Sequence, residues 1–279
     1  MLTAEQHDRS AAVLLGLASG DALAAGDGFE WTERTAPAVD LARITAEGGD
    51  PRDAAVLDEL RSRWGRKPHA PLPVPFSAGG CLLGTAPVAL ALLGDPLALA
   101  EAARNVCALT GSYLTRADPE AGDACALFGL SLRAAVLEGR LDPRAGLGTL
   151  PAAARAAWEA HFAAAARGRI VDGPRLGPVG GVLQGAWAIL GDTPPADASR
   201  VEQVINAAAR SGADPASVAA VGALLAGRWG LEAIPADWRR RLHGRPDLFG
   251  IDLVRLGMLS ARNVVPHDPD DSARMDVLR

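Results

Sequence analysis

Cysteine is scarce in this sequence of 279 residues, and the three cysteines, Cys81, Cys107 and Cys125, include no CxxC pair. An odd number of cysteines without such a pair argues against a disulfide framework and against the ligand spacing of a zinc site. Hydrophobic residues nevertheless make up 49% of the chain, which is enough for a sizeable core. We therefore expect the three cysteines to be reduced thiols in that core.

Long hydrophobic runs are also missing. The longest apolar stretch, residues 81–94, contains Thr85 and Pro87 and falls short of the roughly 20 residues that span a bilayer. The first ten residues, MLTAEQHDRS, carry acidic residues where a secretory signal would carry basic ones. The net charge of −5 gives no sign of the clustered basic face that binds nucleic acid. These features predict a cytoplasmic protein with neither a membrane-spanning helix nor a nucleic-acid partner.

Alternation of apolar and polar residues, the pattern of half-buried strands, is nearly absent, whereas helical periodicity recurs along the chain. Apolar residues between Asp53 and Trp64 form one stripe, and residues 152–167 are rich in alanine. No break in composition separates two domains. The sequence predicts an all-α fold with a single domain over residues 1–260 and a polar tail over residues 261–279.

Common catalytic motifs are missing too. The glycine-rich residues 173–181 lack the Gly-Lys-Ser/Thr ending of a phosphate-binding loop, and the chain contains neither G-x-S-x-G nor H-E-x-x-H. The tail carries a cluster of possible oxygen ligands for a hard cation, namely His267, Asp268, Asp270 and Asp271. An acidic run near a terminus is more commonly a solvated segment, and we favour that interpretation.

Four segments occur in a characteristic order: residues 11–23 (AAVLLGLASGDAL), 31–47 (WTERTAPAVDLARITAE), 79–100 (GGCLLGTAPVALALLGDPLALA) and 200–242 (RVEQVINAAARSGADPASVAAVGALLAGRWGLEAIPADWRRRL). In order and spacing they resemble the successive blocks of the ADP-ribosylglycohydrolase family, which is similar to the dinitrogenase-reductase-activating glycohydrolases. The resemblance covers most of residues 10–245. It implies an all-helical orthogonal bundle with one central cleft.

The resemblance also implies a chemistry. Family members use two divalent cations, magnesium or manganese, held by a Thr-Asp-Asp-Thr motif, an Asp-Thr-Asp-Thr motif and a glutamate in the loop after the first helix. Hard cations prefer oxygen ligands, and two of them can orient a ribose diol and activate a water. The first motif is matched by Thr32, Glu33, Arg34 and Thr35. One of its acids is therefore a glutamate here, and the other is replaced by a cation.

The second motif is matched by Asp214, Pro215, Ala216 and Ser217. One aspartate and one hydroxyl are kept, whereas the aspartate that would bridge both ions is replaced by alanine. The match to the two motifs therefore predicts that an intact two-metal centre is absent and that no cofactor is bound.

Three further blocks differ from the family. The loop after the first helix is shorter and offers only Asp27 and Glu30 as stand-ins for the glutamate. The family's Asn-Gly-x-x-Met-Arg block aligns with residues 79–84, which keep glycines but not the asparagine or the arginine. The family's Leu-Thr-His matches residues 114–116 by local sequence or residues 109–111 by spacing, and neither match keeps the histidine.

The resemblance assigns the candidate site residues. We predict Glu33 or Asp214 as the general base. The predicted substrate contacts are Asp21, Thr32, Arg34, Gly79, Gly80 and Ser217. We also expect the guanidinium of Arg34 to lie between Glu33 and Asp214 and to take over part of the charge of the missing metal.

Several of these residues have structural interpretations as well. Asp214 before Pro215 is an excellent helix N-cap, and Thr35 is suited to cap the helix that follows it. Gly79 and Gly80 are suited to a tight turn. Arg34 is equally compatible with an ordinary surface position.

Three functional hypotheses follow. The first is an enzyme that hydrolyses an N- or O-ribosyl bond of an ADP-ribosyl conjugate, or of a smaller NAD-derived nucleoside or nucleotide, without the two-metal centre. The second is a catalytically inactive relative that binds ADP-ribose-like nucleotides or a protein partner. The third is a purely structural helical protein. An acid persists in each motif, which favours the first hypothesis.

Overall fold

The computed structural model describes residues 1–26, 28–64, 77–109, 118, 120–167, 176–192 and 196–262. The possible cation ligands of the tail, from His267 to Asp271, lie outside these residues, as do Asp27 and residues 110–117. Within the described residues, no helix combines the length and the apolar character needed to cross a bilayer.

The described chain is almost entirely helical, which confirms the predicted all-α class. Its α-helices are α1 (Ala4–Ala25), α2 (Ala36–Ala46), α3 (Ala54–Trp64), α4 (Ala78–Leu83), α5 (Ala86–Ala91), α6 (Pro96–Leu109), α7 (Ala121–Glu138), α8 (Ala152–Ala165), α9 (Pro178–Asp192), α10 (Val201–Arg210), α11 (Pro215–Trp229), α12 (Ala236–Arg241) and α13 (Gly250–Ser260). Short 3-10 turns occur at Leu147–Thr149, Ala198–Arg200 and Leu231–Ala233. The strands β1 (His243–Gly244) and β2 (Leu248–Phe249) pair antiparallel.

The centre of the bundle is the crossing of α1 and α11, each of which is buried over most of its length. A Cβ added at Gly222 of α11 would lie 2.1 Å from the carbonyl oxygen of Gly16 in α1. The two backbones are therefore in direct contact. Around this pair, α13 packs on α1 and α2, α9 packs on α8 and α11, and α6 packs on α7.

Helix ends follow the sequence signals where those signals are local. Thr3 and Gln6 form a capping box at the start of α1, and Gly26 ends that helix with a φ of +76°. Asp214 caps α11 as expected, since its Oδ1 accepts hydrogen bonds from the amides of Ala216 and Ser217 at 2.8 and 3.2 Å. That interpretation of Asp214 is confirmed.

The three cysteines are thiols and lie in the core, with Cys125 fully buried. Hydrogen bonding to Cys107 and Cys81, together with burial, holds the pKa of the Cys125 thiol well above its ordinary value. The expectation of reduced thiols in the core is confirmed.

The backbone contact of α1 with α11 generates a first prediction. Gly222→Ala should destabilise the fold by about 2–3 kcal/mol, because the added methyl meets a backbone oxygen that cannot move aside. Gly181→Ala is the matched control, since a Cβ there has nothing within 4 Å, and alanine should add up to about 1 kcal/mol of helix propensity. Urea denaturation measures both changes. Equal midpoints for the two variants would contradict the close crossing.

A second prediction concerns Asp40 of α2, whose Oδ2 accepts a hydrogen bond from the indole of Trp64 at 3.1 Å. Burial raises the pKa of Asp40, and the bond from Trp64 opposes this only in part. The ionised form is therefore disfavoured by folding at neutral pH. Asp40→Asn should raise the urea midpoint at neutral pH, and the gain should disappear below the ordinary carboxyl value of 3.8.

Asp50 provides the control of opposite sign. The hydrogen bond from Arg52 lowers the pKa of Asp50, so its ionised form stabilises the fold above that pKa. Asp50→Asn should lower the urea midpoint at neutral pH, and this loss should fade as acid protonates Asp50 in the native protein. A gain in the midpoint for Asp50→Asn, or a loss for Asp40→Asn, would show that the assigned direction is wrong.

Candidate functional site

The candidate site is organised by Asp21, which lies near the end of α1 with no exposed surface. One carboxylate oxygen, Oδ2, accepts hydrogen bonds from the amide of Thr32 at 2.8 Å and from the hydroxyl of Thr35 at 2.8 Å. The hydroxyl of Thr32 lies 2.9 Å from both carboxylate oxygens. The loop that precedes α2 is thus held on α1 by a buried anion.

Arg34 completes the coordination of this anion. Its Nη1 donates to Oδ1 of Asp21 at 3.1 Å and to the hydroxyl oxygen of Thr32 at 2.9 Å. The side chain of Arg34 is 30% exposed, whereas that of Asp21 is fully buried. Arg34 thus reaches from the surface to the buried carboxylate. It compensates the charge of Asp21 and leaves part of the guanidinium accessible to solvent.

This pairing corrects the position expected for Arg34. Among the described residues its ion pair is with Asp21, and neither Glu33 nor Asp214 lies within ion-pair distance of it. The physical reason is that Asp21 is a buried carboxylate, so it gains more from a cation than an exposed acid does. Among the described residues, Arg34 therefore makes its ion pair with Asp21 and not with Glu33 or Asp214, and this pairing with a buried acid also differs from the alternative of an ordinary surface arginine.

Thr35 also differs from its expected role. It occupies the N-cap position of α2, but its side chain makes no capping hydrogen bond. Its hydroxyl donates to Asp21 instead. The hydroxyl thus serves the buried carboxylate, with α2 starting beside Pro37.

Glu33 is exposed and lines a small cavity next to the Asp21 cluster. That cavity has a volume of about 290 Å³ and is lined by Glu30, Trp31, Thr32, Glu33, Ala36 and Arg245. The indole of Trp31 donates to the carbonyl of Arg245 at 3.2 Å and so fixes one wall. The candidate base is therefore next to the Asp21 cluster along the chain and open to solvent.

At Gly79, three of the four segments that carry the resemblance come together. It lies in the first turn of α4, where an added Cβ would be 2.5 Å from Cβ of Ala216 and 3.5 Å from Cδ of Arg34. Arg34, Gly79 and Ala216 therefore meet at one place. The tight turn expected at Gly79 and Gly80 is wrong, because both residues are helical. Gly79 is required there by close packing.

Ser217 lies one residue further along α11 but faces another helix. Its hydroxyl donates to the carbonyl of Val182 at 2.9 Å, and the residue is 2% exposed. The structure thus places this hydroxyl at the contact between α9 and α11, away from Arg34. Its predicted contact with the substrate stays a prediction.

Sequence reasoning missed the role of Asp118, which follows the residues matched to the family's Leu-Thr-His. Its Oδ2 accepts hydrogen bonds from the amides of Val179 and Gly180 at 2.7 and 3.3 Å, so it caps α9 from a distant part of the chain. The residue is 1% exposed, and Oδ1 has no hydrogen-bond partner among the described residues. Because α9 begins 60 residues after Asp118, no local sequence pattern indicated this cap.

Within the part of the chain that the structure describes, the oxygen donors do not fit the two divalent cations that the resemblance implies. A hard cation needs several oxygen ligands around one point. Among the described residues, the carboxylates of Asp21, Glu33 and Asp214 form no group able to share an ion. Asp21 is paired with a guanidinium, and an oxygen of Asp214 is engaged by two backbone amides.

Comparison with known proteins places this geometry in context. A family model described as ADP-ribosylglycohydrolase matches residues 39–263, a range that includes Gly79 and Ala216 but begins after Arg34. No curated protein matches the sequence significantly. A solved structure described as an "ADP-ribosylglycohydrolase-related protein complex" aligns with 94% of this chain and 100% of its own, at 26% identity and a TM-score of 0.65.

A third prediction tests the buried anion. Asp21→Asn should cost about 2–3 kcal/mol of stability, because an amide offers only one acceptor oxygen to the hydroxyls and the guanidinium that now share two. The control Glu59→Gln removes an exposed ion pair with Arg63 and should change stability by less than about 0.5 kcal/mol. Chemical denaturation measures both. A loss for Asp21→Asn no larger than for the control would show that the cluster does not hold the loop.

Proposed function

Because the chain belongs to the ADP-ribosylglycohydrolase family, we propose that it is a divergent member whose site works without a pair of metal ions. Its ligand is an ADP-ribosyl conjugate or a smaller NAD-derived nucleoside or nucleotide, and its reaction is hydrolysis of the N- or O-ribosyl bond. The observation that carries the proposal is the guanidinium of Arg34, anchored on Asp21 where Gly79 and Ala216 meet.

Arg34 is suited to bind the anionic or diol part of such a ligand. A guanidinium has five N–H donors, and Nη1 already serves Asp21 and Thr32. The partial exposure of the side chain leaves further donors for phosphate or ribose oxygens. Since the group is held in place before the ligand arrives, little side-chain entropy is lost on binding.

Glu33 is the favoured general base. It accepts a proton from a water as the water oxygen forms a bond to the anomeric carbon and the bond to the leaving group breaks. The proton then passes from the carboxyl group to the leaving group, which restores Glu33. Asp214 is the second choice, because one of its oxygens is engaged as a helix cap. These proton transfers and the oxocarbenium-like transition state do not require a metal ion.

A non-catalytic binding protein is the second candidate function. It is favoured by one observation, namely that Glu33 lines a cavity with Trp31 and Arg245 and makes no ion pair with Arg34. In that case Arg34 binds the ligand and no base is directed at the anomeric carbon. Both candidate functions predict nucleotide binding, but only the hydrolase predicts turnover.

A fourth prediction separates them. Incubation with NAD and with ADP-ribosylated peptides should release the leaving group, and Glu33→Gln should lower kcat by at least about 100-fold with Kd for ADP-ribose unchanged within about threefold. Glu159→Gln, at another exposed glutamate, is the control and should match the parent. Chromatography of the products and calorimetry measure the two effects.

A variant of Arg34 tests nucleotide binding separately from catalysis. Arg34→Gln should weaken binding of ADP-ribose at least about tenfold, and magnesium or manganese should leave the affinity of the parent unchanged. Binding without turnover would favour the non-catalytic candidate. Absence of any nucleotide binding, or tight binding of two divalent cations per chain, would overturn the proposal.

A further inference from the structure

Three cysteines that are far apart in the sequence meet in the core. Cys81 comes from α4, Cys107 from α6 and Cys125 from α7, and each is at most 1% exposed. The Sγ atoms of Cys81 and Cys107 are 3.2 Å apart, and those of Cys81 and Cys125 are 3.9 Å apart. All three sulfurs lie within 4.8 Å of one another.

This spacing matches three ligands of one ion. With metal–sulfur bonds of about 2.3 Å, sulfurs around a shared ion are separated by about 3.3 Å in a pyramidal site and about 4.0 Å in a planar one. The separations of 3.2 and 3.9 Å lie close to this range, and the third pair of sulfurs is within 4.8 Å, so small side-chain rotations bring all three to it. Thiolates select soft, thiophilic ions over hard ones. The cluster is therefore distinct in chemistry from the oxygen-rich site at Asp21.

The number of ligands narrows the class of ion. Within the described residues, no histidine, aspartate or glutamate joins the three cysteines as a possible ligand. A structural zinc ion ordinarily takes four protein ligands in a tetrahedron. A set of three sulfurs suits an ion that completes its coordination with three bonds.

The charge of the buried environment restricts the class of ion further. The buried polar and charged side chains of the described residues include no lysine or arginine, and an uncompensated buried charge is costly. Three thiolates leave a net negative charge around a monovalent or divalent ion. Around a trivalent ion the complex is neutral, which suits this environment.

We propose that Cys81, Cys107 and Cys125 form a binding site for a trivalent thiophilic metalloid, with arsenite as the probe. The reaction is As(OH)₃ + 3 RSH → As(SR)₃ + 3 H₂O. Three S–H and three As–O bonds break, three As–S bonds and three O–H bonds form, and no atom is oxidised or reduced. Neutral reactants thus give a neutral complex in the core.

The test uses the full-length chain, reduced and freed of metal. After incubation with sodium arsenite, native mass spectrometry should show one arsenic per chain with the loss of three hydrogens. X-ray absorption at the arsenic edge should show three sulfur neighbours and no oxygen. These two measurements need no variant, so they decide the question even where a cysteine substitution prevents folding.

Variants then assign the ligands. Cys107→Ala and Cys125→Ala should each weaken arsenite binding at least tenfold. Ser131→Ala is the matched control, because Ser131 is also buried on α7. This variant should bind arsenite with the affinity of the parent protein. No bound arsenic, fewer than three hydrogens lost, an oxygen neighbour, or stoichiometric zinc binding with no arsenite binding would each overturn the proposal.

Discussion

The backbone contact between α1 and α11 determines where Asp21 and Ala216 lie relative to each other in the candidate site. Gly16 and Gly222 allow the two helices to touch, and Gly20, one turn further along α1, packs on the same partner. Asp21 follows Gly20 directly, so the contact also sets where the buried carboxylate lies. The loop of residues 32–35 then takes its conformation from the hydrogen bonds to that carboxylate.

A buried carboxylate requires compensation, and the source of the compensating charge distinguishes this site from a metal centre. A metal ion is supplied by the solvent, and its presence depends on its concentration. Arg34 is part of the chain, and its position is set by the fold. Because Arg34 and Ala216 stand where the motifs that they resemble carry acids, fewer anions need to be neutralised at this place.

The sequence alone was sufficient to predict those structural features that depend on neighbouring residues in the chain. The helix over residues 54–64 follows from apolar periodicity, and the cap at Asp214 follows from the two residues after it. The family resemblance supplied the order of the blocks, and hence the meeting of Arg34 and Gly79. The partner of Arg34 could not be predicted, because Asp21, Glu33 and Asp214 compete for one guanidinium and only tertiary burial decides among them. The cysteine cluster was also missed because its members lie on three different helices, which only the tertiary fold brings together.

The candidate site and the cysteine cluster share α4, which has only six residues. Gly79 packs on Ala216 at the start of this helix, and Cys81 lies two residues later. Because a Cβ at Gly79 would already be 2.5 Å from Ala216, the helix has no room to move toward α11. Rotation of Cys81 toward a shared ion is therefore confined to its side chain. The two sites therefore differ in charge, since one contains an anion paired with an arginine and the other contains neutral thiols. A single short helix fixes their positions relative to each other.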